Sequence, residues 1–507
     1  MTVPQNVSRS LRRRIDALDS DTKDAERVKR TLDLPWSAAS ADPVSLASLH
    51  SSLISKLFVP EHVSDLLIDH LVIWERLIEA GPTAMGQRRL LCVTGPPGVG
   101  KSRMSHHIAE ELGLPVKSIA LDRLTSTAEF FGSNEEPGAL MGAIEHLDQA
   151  EVVIVLKGID SFCSRVNPAP LAMFNTLTNI TALNQFNDPF FDVPFDVSRV
   201  LFIATASWMP DIPTSMHDFL DVLELDGYVD DDKITIARES LLPDILREYS
   251  LASDDVQIDL DALSTLVRSY TAEPGVRALD EIVRRIVRRA LSRRALRGGT
   301  ESLSIGVDDL AATIGRPSQL GPRRHRRDVP GLTAGAVVRR NGGILGQIEA
   351  VQMPGSGRIR ILDTDGIDLT SRYAVVPSYV RSRLSELGVS ARSLEEFDTD
   401  LLLPASELPG DEDSLAIASA ITIVSLMRDR PVDNEIVAIG GMTVHGQVRR
   451  AYGVRPKILA AHRAGIRRVL LPRQNEHDLS SIPSHLHDSI TFIPIDNAGQ
   501  AINVALR

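Results

Sequence analysis

Apolar residues in the first half of the chain alternate between short continuous runs and longer stretches with helical spacing. The runs at 90–94, 151–156 and 199–206 are rich in aliphatic and β-branched residues. Buried strands that alternate with helices are typical of a parallel sheet covered by helices. We therefore predict an α/β domain over residues 61–232, preceded by a short helical N-terminal region over residues 1–60.

The pattern changes in the second half of the chain. Over residues 233–315 apolar positions recur three and four residues apart, which predicts an all-helical segment. The clearest set is Leu279, Ile282, Val283, Ile286, Val287 and Leu291. Residues 316–332 are rich in proline, glycine and arginine and predict a basic linker. Shorter strand-like runs with Gly/Pro turns fill 333–507 and predict a second domain of mixed strands and helices.

Composition narrows the class of protein. A chain of 507 residues is long enough for about three domains with sizeable cores. The net charge of -12 argues against bulk nucleic-acid binding but leaves room for a local basic patch. The two cysteines, Cys92 and Cys163, make no disulfide framework. Since no apolar run is long enough to span a bilayer, we expect a soluble cytoplasmic protein without a membrane segment.

A glycine-rich segment follows the first apolar run and precedes a helical pattern. It consists of Gly95, Pro96, Pro97, Gly98, Val99, Gly100, Lys101 and Ser102. In this context the glycines let backbone N–H groups wrap phosphates, and the lysine bridges the β and γ oxygens. The hydroxyl of Ser102 is the expected Mg²⁺ ligand. The segment predicts a P-loop that binds ATP or ADP.

Two further segments resemble the Lon protease family. Residues 193–207 read VPFDVSRVLFIATAS, similar to the Lon pattern VPFDLSxVLFIATAN, and residues 452–465 read YGVRPKILAAHRAG, similar to GG[IL]KEKxLAAHRxG. The resemblance covers about residues 30–500. It implies a P-loop AAA+ large domain with an all-helical lid, followed by an α+β Lon-type serine-protease domain. It also implies an ATP-dependent serine endopeptidase that assembles into a hexameric ring and acts on protein substrates.

The resemblance places Ser414 at the nucleophile position of a Ser-Lys dyad, because residues 411–417 align with the family's DGPSAGI. Arg455 stands where the family has its general-base lysine. A lysine can lose its proton near neutral pH when buried, whereas an arginine stays protonated in proteins. Lys457 matches the second lysine of the motif and is a weak alternative base. The dyad is therefore incomplete by the family's own pattern.

The loop before the nucleophile also departs from the family. Asp411, Glu412 and Asp413 either cap the start of a helix or place negative charge beside the serine, where it disfavours an oxyanion. Glu412 and Asp413 stand where the family has glycine and proline. Gly441 replaces a glutamate. These changes alter the segment that presents the nucleophile.

The ATPase positions divide into kept and replaced residues. The P-loop is intact, and Arg277 matches the family's second sensor arginine. The replaced positions are Lys157 and Gly158, where the family has Asp-Glu, Ser207, where it has a sensor asparagine, and Phe219, where it has the arginine that reaches the neighbouring subunit. Asp160 is the one nearby acid that remains as a displaced substitute. Phosphate-binding groups survive, while the groups that support hydrolysis and coupling are lost.

These observations predict a Lon-like pseudoenzyme that binds nucleotide, with a weakened Mg²⁺ site. Its partners would be copies of itself or an active Lon relative, in the regulation or assembly of protein degradation. One alternative is an active endopeptidase that uses Ser414. A second is a sensor that binds DNA or polyphosphate through two basic clusters. Those clusters are Arg284, Arg285, Arg288, Arg289, Arg293 and Arg294, and the run Arg323, Arg324, His325, Arg326 and Arg327.

Overall fold

The computed structural model describes the chain in thirteen stretches: 22–36, 46–57, 59–80, 86–165, 171–271, 273–297, 302–317, 329–339, 342–363, 369–404, 411, 413–482 and 484–507. Two compact units are present, one of residues 1–95 and 100–225, the other of residues 96–99 and 226–507. The basic run 323–327 of the predicted linker and Glu412 lie outside the described residues.

The first unit is built on a five-stranded parallel sheet. Its strands are β1 (Leu90–Thr94), β2 (Val116–Ala120), β3 (Val153–Lys157), β6 (Leu201–Ala206) and β7 (Leu220–Glu224), and a small antiparallel pair is formed by β4 (Phe186–Asn187) and β5 (Pro194–Phe195). The strands of the sheet lie in the order β2-β3-β6-β1-β7. The three apolar runs of the sequence become the adjacent strands β3, β6 and β1. The predicted α/β class is confirmed.

Helices cover this sheet and close its core. They are α1 (Thr22–Leu32), α2 (Leu46–Leu57), α3 (Glu61–Ala80), α4 (Lys101–Glu111), α5 (Ala128–Phe131), α6 (Ala139–Leu147), α7 (Ile159–Arg165), α8 (Leu171–Thr178) and α9 (Ile180–Asn184). Short 3₁₀ turns lie at Leu121–Arg123, Met209–Asp211 and Thr214–Phe219. Helix α4 begins at Lys101, directly after the last glycine of the glycine-rich segment, which is the arrangement that a P-loop requires.

The second unit begins with a helical part. It contains α10 (Asp230–Ile236), α11 (Leu242–Glu248), β8 (Val256–Ile258), α12 (Leu260–Thr265), α13 (Arg277–Arg297), β9 (Leu303–Ile305) and α14 (Val307–Ile314), with π-helical turns at Ala237–Leu241 and Leu266–Tyr270. Helix α13 buries Leu279, Val283, Ile286 and Val287 in the core of this part. The helical periodicity read from the sequence is the periodicity of this buried face.

The rest of the second unit contains a seven-stranded mixed sheet and its helices. The strands of the sheet are β10 (Leu332–Arg339), β11 (Gly342–Pro354), β12 (Ile359–Asp363), β13 (Phe397–Leu403), β14 (Ile436–Ala438), β17 (Arg468–Pro472) and β18 (Thr491–Ile495), and a separate pair is formed by β15 (Gly441–Met442) and β16 (Val448–Arg449). The seven strands lie in the order β12-β13-β11-β10-β14-β17-β18. The helices are α15 (Thr370–Tyr373), α16 (Val375–Ser382), α17 (Arg392–Glu395), α18 (Ala416–Met427), α19 (Val454–Arg463), α20 (Ser484–Ser489) and α21 (Ala498–Ala505), with a 3₁₀ stretch at Arg473–Ser481.

Helices α18 and α19 position the protease-like residues. Residues 416–425 of α18 are all buried, which explains why this helix carries no charged residue. Helix α19 packs against β10 and β11, and the closest approach is at Gly343, where a Cβ would overlap the carbonyl of Pro456. Arg463 at the end of α19 donates a hydrogen bond to the Gly343 carbonyl at 2.9 Å. In the described part of the chain, no helix has both the length and the apolarity needed to cross a membrane.

The contact at Gly343 generates the first prediction. Gly343→Ala should lower the free energy of unfolding by about 1–3 kcal/mol, because the added methyl meets backbone that has no rotamer with which to move away. The matched control is Gly142→Ala in α6, where a Cβ would meet nothing within 4 Å. That control should be neutral or slightly stabilising, by less than about 1 kcal/mol. Urea denaturation measures both, and an equal effect of the two substitutions would contradict the packing argument.

Candidate functional site

Ser414 lies in the turn that precedes α18, and its side chain is enclosed. The residue is 1% exposed. Its Oγ is buried without a hydrogen-bond partner among the described residues. A hydroxyl becomes a nucleophile when a base accepts its proton. Among the residues that the structure describes, no base contacts the hydroxyl, and the side chain is almost closed to solvent.

Lys457 forms an ion pair close to this serine but not with it. Its Nζ donates to Asp411 Oδ1 at 2.6 Å, and both side chains are fully buried. Burial lowers the pKa of the Lys457 ammonium, and the Asp411 carboxylate opposes that change in part. The Asp411 carbonyl accepts the Ser414 N–H at 3.2 Å. Asp411 thus brings Lys457 and Ser414 into one cluster while it holds the lysine's ammonium group itself.

Three backbone N–H groups near Ser414 already have acceptors. The Ser414 N–H binds the Asp411 carbonyl at 3.2 Å, that of Ala416 binds the Asp413 carbonyl at 2.9 Å, and that of Ile417 binds the Gly440 carbonyl at 3.3 Å. An oxyanion hole needs N–H donors aimed at an open position. These three donors are committed to the fold of the turn.

Asp413 has a specific partner. Its carboxylate forms an ion pair with Arg449 on β16. A Cβ on Gly441 would overlap this carboxylate, so the aspartate and the glycine depend on each other. Helix α18 has Leu415 at its N-cap and no side-chain cap. The interpretation of these acids as helix caps is therefore wrong for Asp411 and Asp413, because their carboxylates pair with Lys457 and Arg449.

Arg455 occupies the first turn of α19 and points to a different carboxylate. Its Nε lies 3.1 Å from Asp226 Oδ2, and the two side chains are 15% and 18% exposed. Helix geometry places residues 455 and 457 about 200° apart around the axis, so the two cations face opposite ways. The structure brings Ser414 and Lys457 together around Asp411 and leaves Arg455 with Asp226.

In the first unit, Lys101 begins helix α4 and donates to the Gly95 carbonyl at 2.5 Å. Burial lowers the pKa of its ammonium to about 8, although the Asp160 carboxylate opposes the change. The side chain of Ser102 is exposed on the first turn of the same helix. A bound phosphate stabilises the charged ammonium of a part-buried lysine at a helix N-terminus and so raises its pKa again.

Asp160 has a structural task at the end of the sheet. Its Oδ2 accepts the backbone N–H groups of Ser207 at 2.9 Å and Trp208 at 3.0 Å. The residue is 4% exposed. Because these bonds hold the loop after β6, Asp160 shapes the Ser207 turn.

Lys157 and Gly158 lie at the end of β3. Lys157 is the last residue of the strand and pairs in register with Ala120 and Thr205. Gly158 has a φ of +74°, and a Cβ there would lie 3.0 Å from the Asp122 Cβ. A glutamate at 158 would adopt a left-handed backbone beside another carboxylate, at a cost of about 1–3 kcal/mol in backbone strain alone.

Phe219 ends the 3₁₀ turn Thr214–Phe219 and is partly buried against the core of the first unit. Its ring lies 6.4 Å from that of Phe174, centroid to centroid. The aromatic side chain therefore adds to the packing of its own domain.

Within the second unit, the P-loop residue Gly98 lies against the start of α13. The Val276 N–H donates to the Gly98 carbonyl at 3.1 Å. A Cβ on Gly98, whose φ is +82°, would lie 2.8 Å from the backbone nitrogen of Arg277, so only glycine fits. The Arg277 side chain is 74% exposed and lies 4.0 Å from Glu281. Its guanidinium is accessible to an anion.

The basic helix α13 is less positively charged than its sequence implies. Arg284 pairs with Asp280 at 2.8 Å and with Glu248 at 2.6 Å. Arg294 pairs with Asp255 at 2.7 Å. Arg285, Arg288 and Arg289 are exposed. Binding of DNA or polyphosphate stays a prediction that depends on these three side chains and on linker residues outside the described part of the chain.

Comparisons with known proteins decide the family. The Lon protease (S16) C-terminal proteolytic domain matches residues 304–507, and the Lon protease AAA+ ATPase lid domain matches residues 247–302. Together they cover more than half of the chain. The chain belongs to the Lon protease family. The ATPase family associated with various cellular activities matches residues 91–224, which implies nucleotide binding in the Lon arrangement.

Curated Lon relatives match almost the whole chain. A Lon protease of Dictyoglomus thermophilum is 31% identical over 94% of the chain, and one of Phenylobacterium zucineum is 32% identical over 94%. A Lon protease of Frankia alni is 30% identical over 100% of the chain. The chain spans about 60% of the length of these relatives. The resemblance read from the sequence is confirmed.

Sequence reasoning missed the roles of two acids. In the sequence, Asp411 is interpreted only as a helix cap or a charge beside the nucleophile. The signal for its role lies in α19, where Lys457 is surrounded by the buried residues Val454, Ile458, Leu459, Ala460 and Ala461. A lysine on a buried helix face requires an acidic partner, and that signal predicts such a residue. Asp226 carries no comparable signal, because its partner Arg455 has an ordinary polar position near a helix start.

The buried pair generates the second prediction. Lys457→Met should destabilise the protein by about 3–5 kcal/mol, because it leaves the Asp411 carboxylate buried without a cation. Adding Asp411→Asn should recover much of that loss. The matched control is Arg450→Met, which removes an exposed cation 3.0 Å from Asp478 in the same unit. The control should cost less than about 1 kcal/mol in chemical denaturation. A Lys457→Met variant as stable as the control would contradict the buried-pair argument.

Proposed function

We propose that this Lon-type chain binds ATP or ADP and has lost, or severely reduced, both ATP hydrolysis and peptide cleavage. The proposal depends mainly on which carboxylate each cation of the protease centre pairs with. Arg455 pairs with Asp226, Lys457 pairs with Asp411, and the buried Ser414 hydroxyl has no hydrogen-bond partner in the described part of the chain. A Ser-Lys dyad requires a neutral amine within hydrogen-bond reach of the serine. The proposed role is regulation or assembly of protein degradation.

The ATPase residues support the same proposal. Lys157 and Gly158 provide no carboxylate for metal or water activation, and Phe219 packs into its own domain. An arginine finger is worth about 10³–10⁵ in rate in other NTPases. In contrast, Lys101 and the P-loop glycines keep the groups that hold phosphate. Binding with little turnover follows from this division.

An active serine endopeptidase is the second candidate, and one observation favours it. Burial lowers the pKa of Lys457, and Asp411 joins it to the Ser414 turn. A rearrangement that separated Lys457 from Asp411 would supply a neutral amine next to the serine. Proteolysis that requires both Ser414 and Lys457 would establish this candidate over the first.

Nucleotide binding provides the third prediction. ADP should bind with micromolar affinity, Lys101→Ala should abolish binding, and ATP turnover should stay at background. At pH 8, magnesium-free ADP should bind with uptake of about half a proton, because the phosphates raise the pKa of Lys101 from about 8. Affinity should therefore fall as the pH rises above 8. Calorimetry in buffers of different ionisation enthalpy measures the uptake.

Two results would contradict the nucleotide proposal. Proton release at pH 8 would exclude the titration of Lys101 as the linked event. Steady ATP turnover of about 1 s⁻¹ that disappears in Lys101→Ala would place the chain among ordinary ATPases.

The protease centre provides the fourth prediction. Arg455→Lys alone should not restore peptide cleavage, because Asp413 still places a carboxylate, paired with Arg449, in the nucleophile loop. Combining it with Glu412→Gly and Asp413→Pro should recover measurable cleavage of small fluorogenic peptides. The same triple variant with Ser414→Ala is the control and should be inactive. Robust ATP-stimulated proteolysis by the unmodified chain, lost in Ser414→Ala, would overturn the pseudoenzyme proposal.

Assembly provides the fifth prediction. We propose an oligomer, as a homomeric hexameric ring or with an active Lon relative, whose size changes little with ATP. The reason is Phe219, which provides no cation for a neighbouring subunit's nucleotide. Light scattering at micromolar concentration, with and without ATP, measures the mass. A monomer under both conditions would contradict homomeric assembly.

A further inference from the structure

Asp226, the partner of Arg455, lies in a segment that also contacts P-loop residues of the same unit. Two residues after it, the Tyr228 hydroxyl donates a hydrogen bond to the Val99 carbonyl at 2.8 Å. The Tyr228 N–H donates to the Pro274 carbonyl at 2.8 Å. Residues 226–228 are therefore attached both to the P-loop backbone and to the turn before α13.

The turn before α13 makes its own close contacts with the P-loop. The Val276 N–H donates to the Gly98 carbonyl at 3.1 Å. A Cβ on Gly275 would overlap the Gly98 backbone, and a Cβ on Gly227 would lie 2.8 Å from the Pro274 Cβ. Backbone segments packed without intervening side chains deform little, so displacement of one requires displacement of the next.

At the other end of this path, Arg455 stands in the first turn of α19. A cation at a helix N-terminus is disfavoured by the helix dipole, and a nearby carboxylate offsets that effect. Asp226 lies 3.1 Å away, and neither side chain is more than 18% exposed, so solvent screens the pair weakly. The stability of the first turn of α19 therefore depends on where Asp226 is held.

Helix α19 leads directly to the protease centre. Lys457, two residues after Arg455, binds Asp411 at 2.6 Å, and Asp411 in turn accepts the Ser414 N–H at 3.2 Å. Contacts within the second unit thus run without interruption from the P-loop carbonyls, through Tyr228 and Asp226, to the Ser414 turn.

We propose that the Asp226–Arg455 ion pair couples the P-loop to helix α19, so that a nucleotide diphosphate on the P-loop stabilises this helix. The residue at the family's base position then acts as a positioning residue for α19. The proposal rests on the nucleotide binding proposed above. Phosphate binding orders the P-loop backbone, the backbone holds Tyr228 and Asp226, and Asp226 holds the first turn of α19.

Hydrogen exchange of the full chain with and without saturating ADP tests the coupling, read from peptides covering residues 454–463. In the unmodified chain, ADP should slow exchange there by about fivefold, the lower end of typical coupling. Arg455→Met and Asp226→Asn should bind ADP with affinity within about threefold of the unmodified chain but lose this slowing. Arg450→Met, which removes an exposed cation of the same unit, should keep it. A merely structural pair would alter exchange equally with and without ADP.

The charge swap Arg455→Asp with Asp226→Arg should restore the ADP-dependent slowing, since it rebuilds the pair in reverse. Failure of the swap to restore it would overturn the ion pair as the route. Undiminished slowing in both single variants, or no slowing in an unmodified chain that binds ADP, would overturn the proposal too. A separate ADP titration distinguishes these results from failure of nucleotide binding itself, which would remove the basis of both proposals.

Discussion

The buried ion pair between Lys457 and Asp411 is the interaction on which the geometry of the protease-like centre depends. It joins helix α19 to the turn before α18, two elements far apart in the sequence, with both side chains fully buried. A lysine is tolerated on this buried helix face only with a close carboxylate. Because the pair fixes the helix against the Ser414 turn, it also sets which way every other residue of the first turn of α19 points.

Helix geometry links the position of Arg455 to that pair. Residue 455 lies about 200° from Lys457 around the axis of α19. Its guanidinium pairs with Asp226, whereas Lys457 pairs with Asp411. The Ser414 hydroxyl is buried, and three backbone N–H groups near it donate to carbonyls of the same domain. These contacts stabilise the turn that contains Ser414.

Three residues at positions where the sequence departs from the Lon pattern fit their surroundings closely. Asp413 pairs with Arg449 in space that a side chain at 441 would fill. Phe219 packs on the core beside Phe174, and Gly158 adopts a backbone conformation that suits glycine.

The sequence alone determined the α/β class, the P-loop and the Lon resemblance, because apolar strand runs, helical periodicity and glycine spacing are local properties of the chain. Lys457 could also be separated from Arg455 by helix geometry alone. Only the tertiary structure decided which carboxylate each cation meets. Asp411 and Asp226 lie 46 and 229 residues from their partners, as the numbering of the two pairs gives. Local patterns carry no information about such separations, since long-range pairing depends on how whole elements pack.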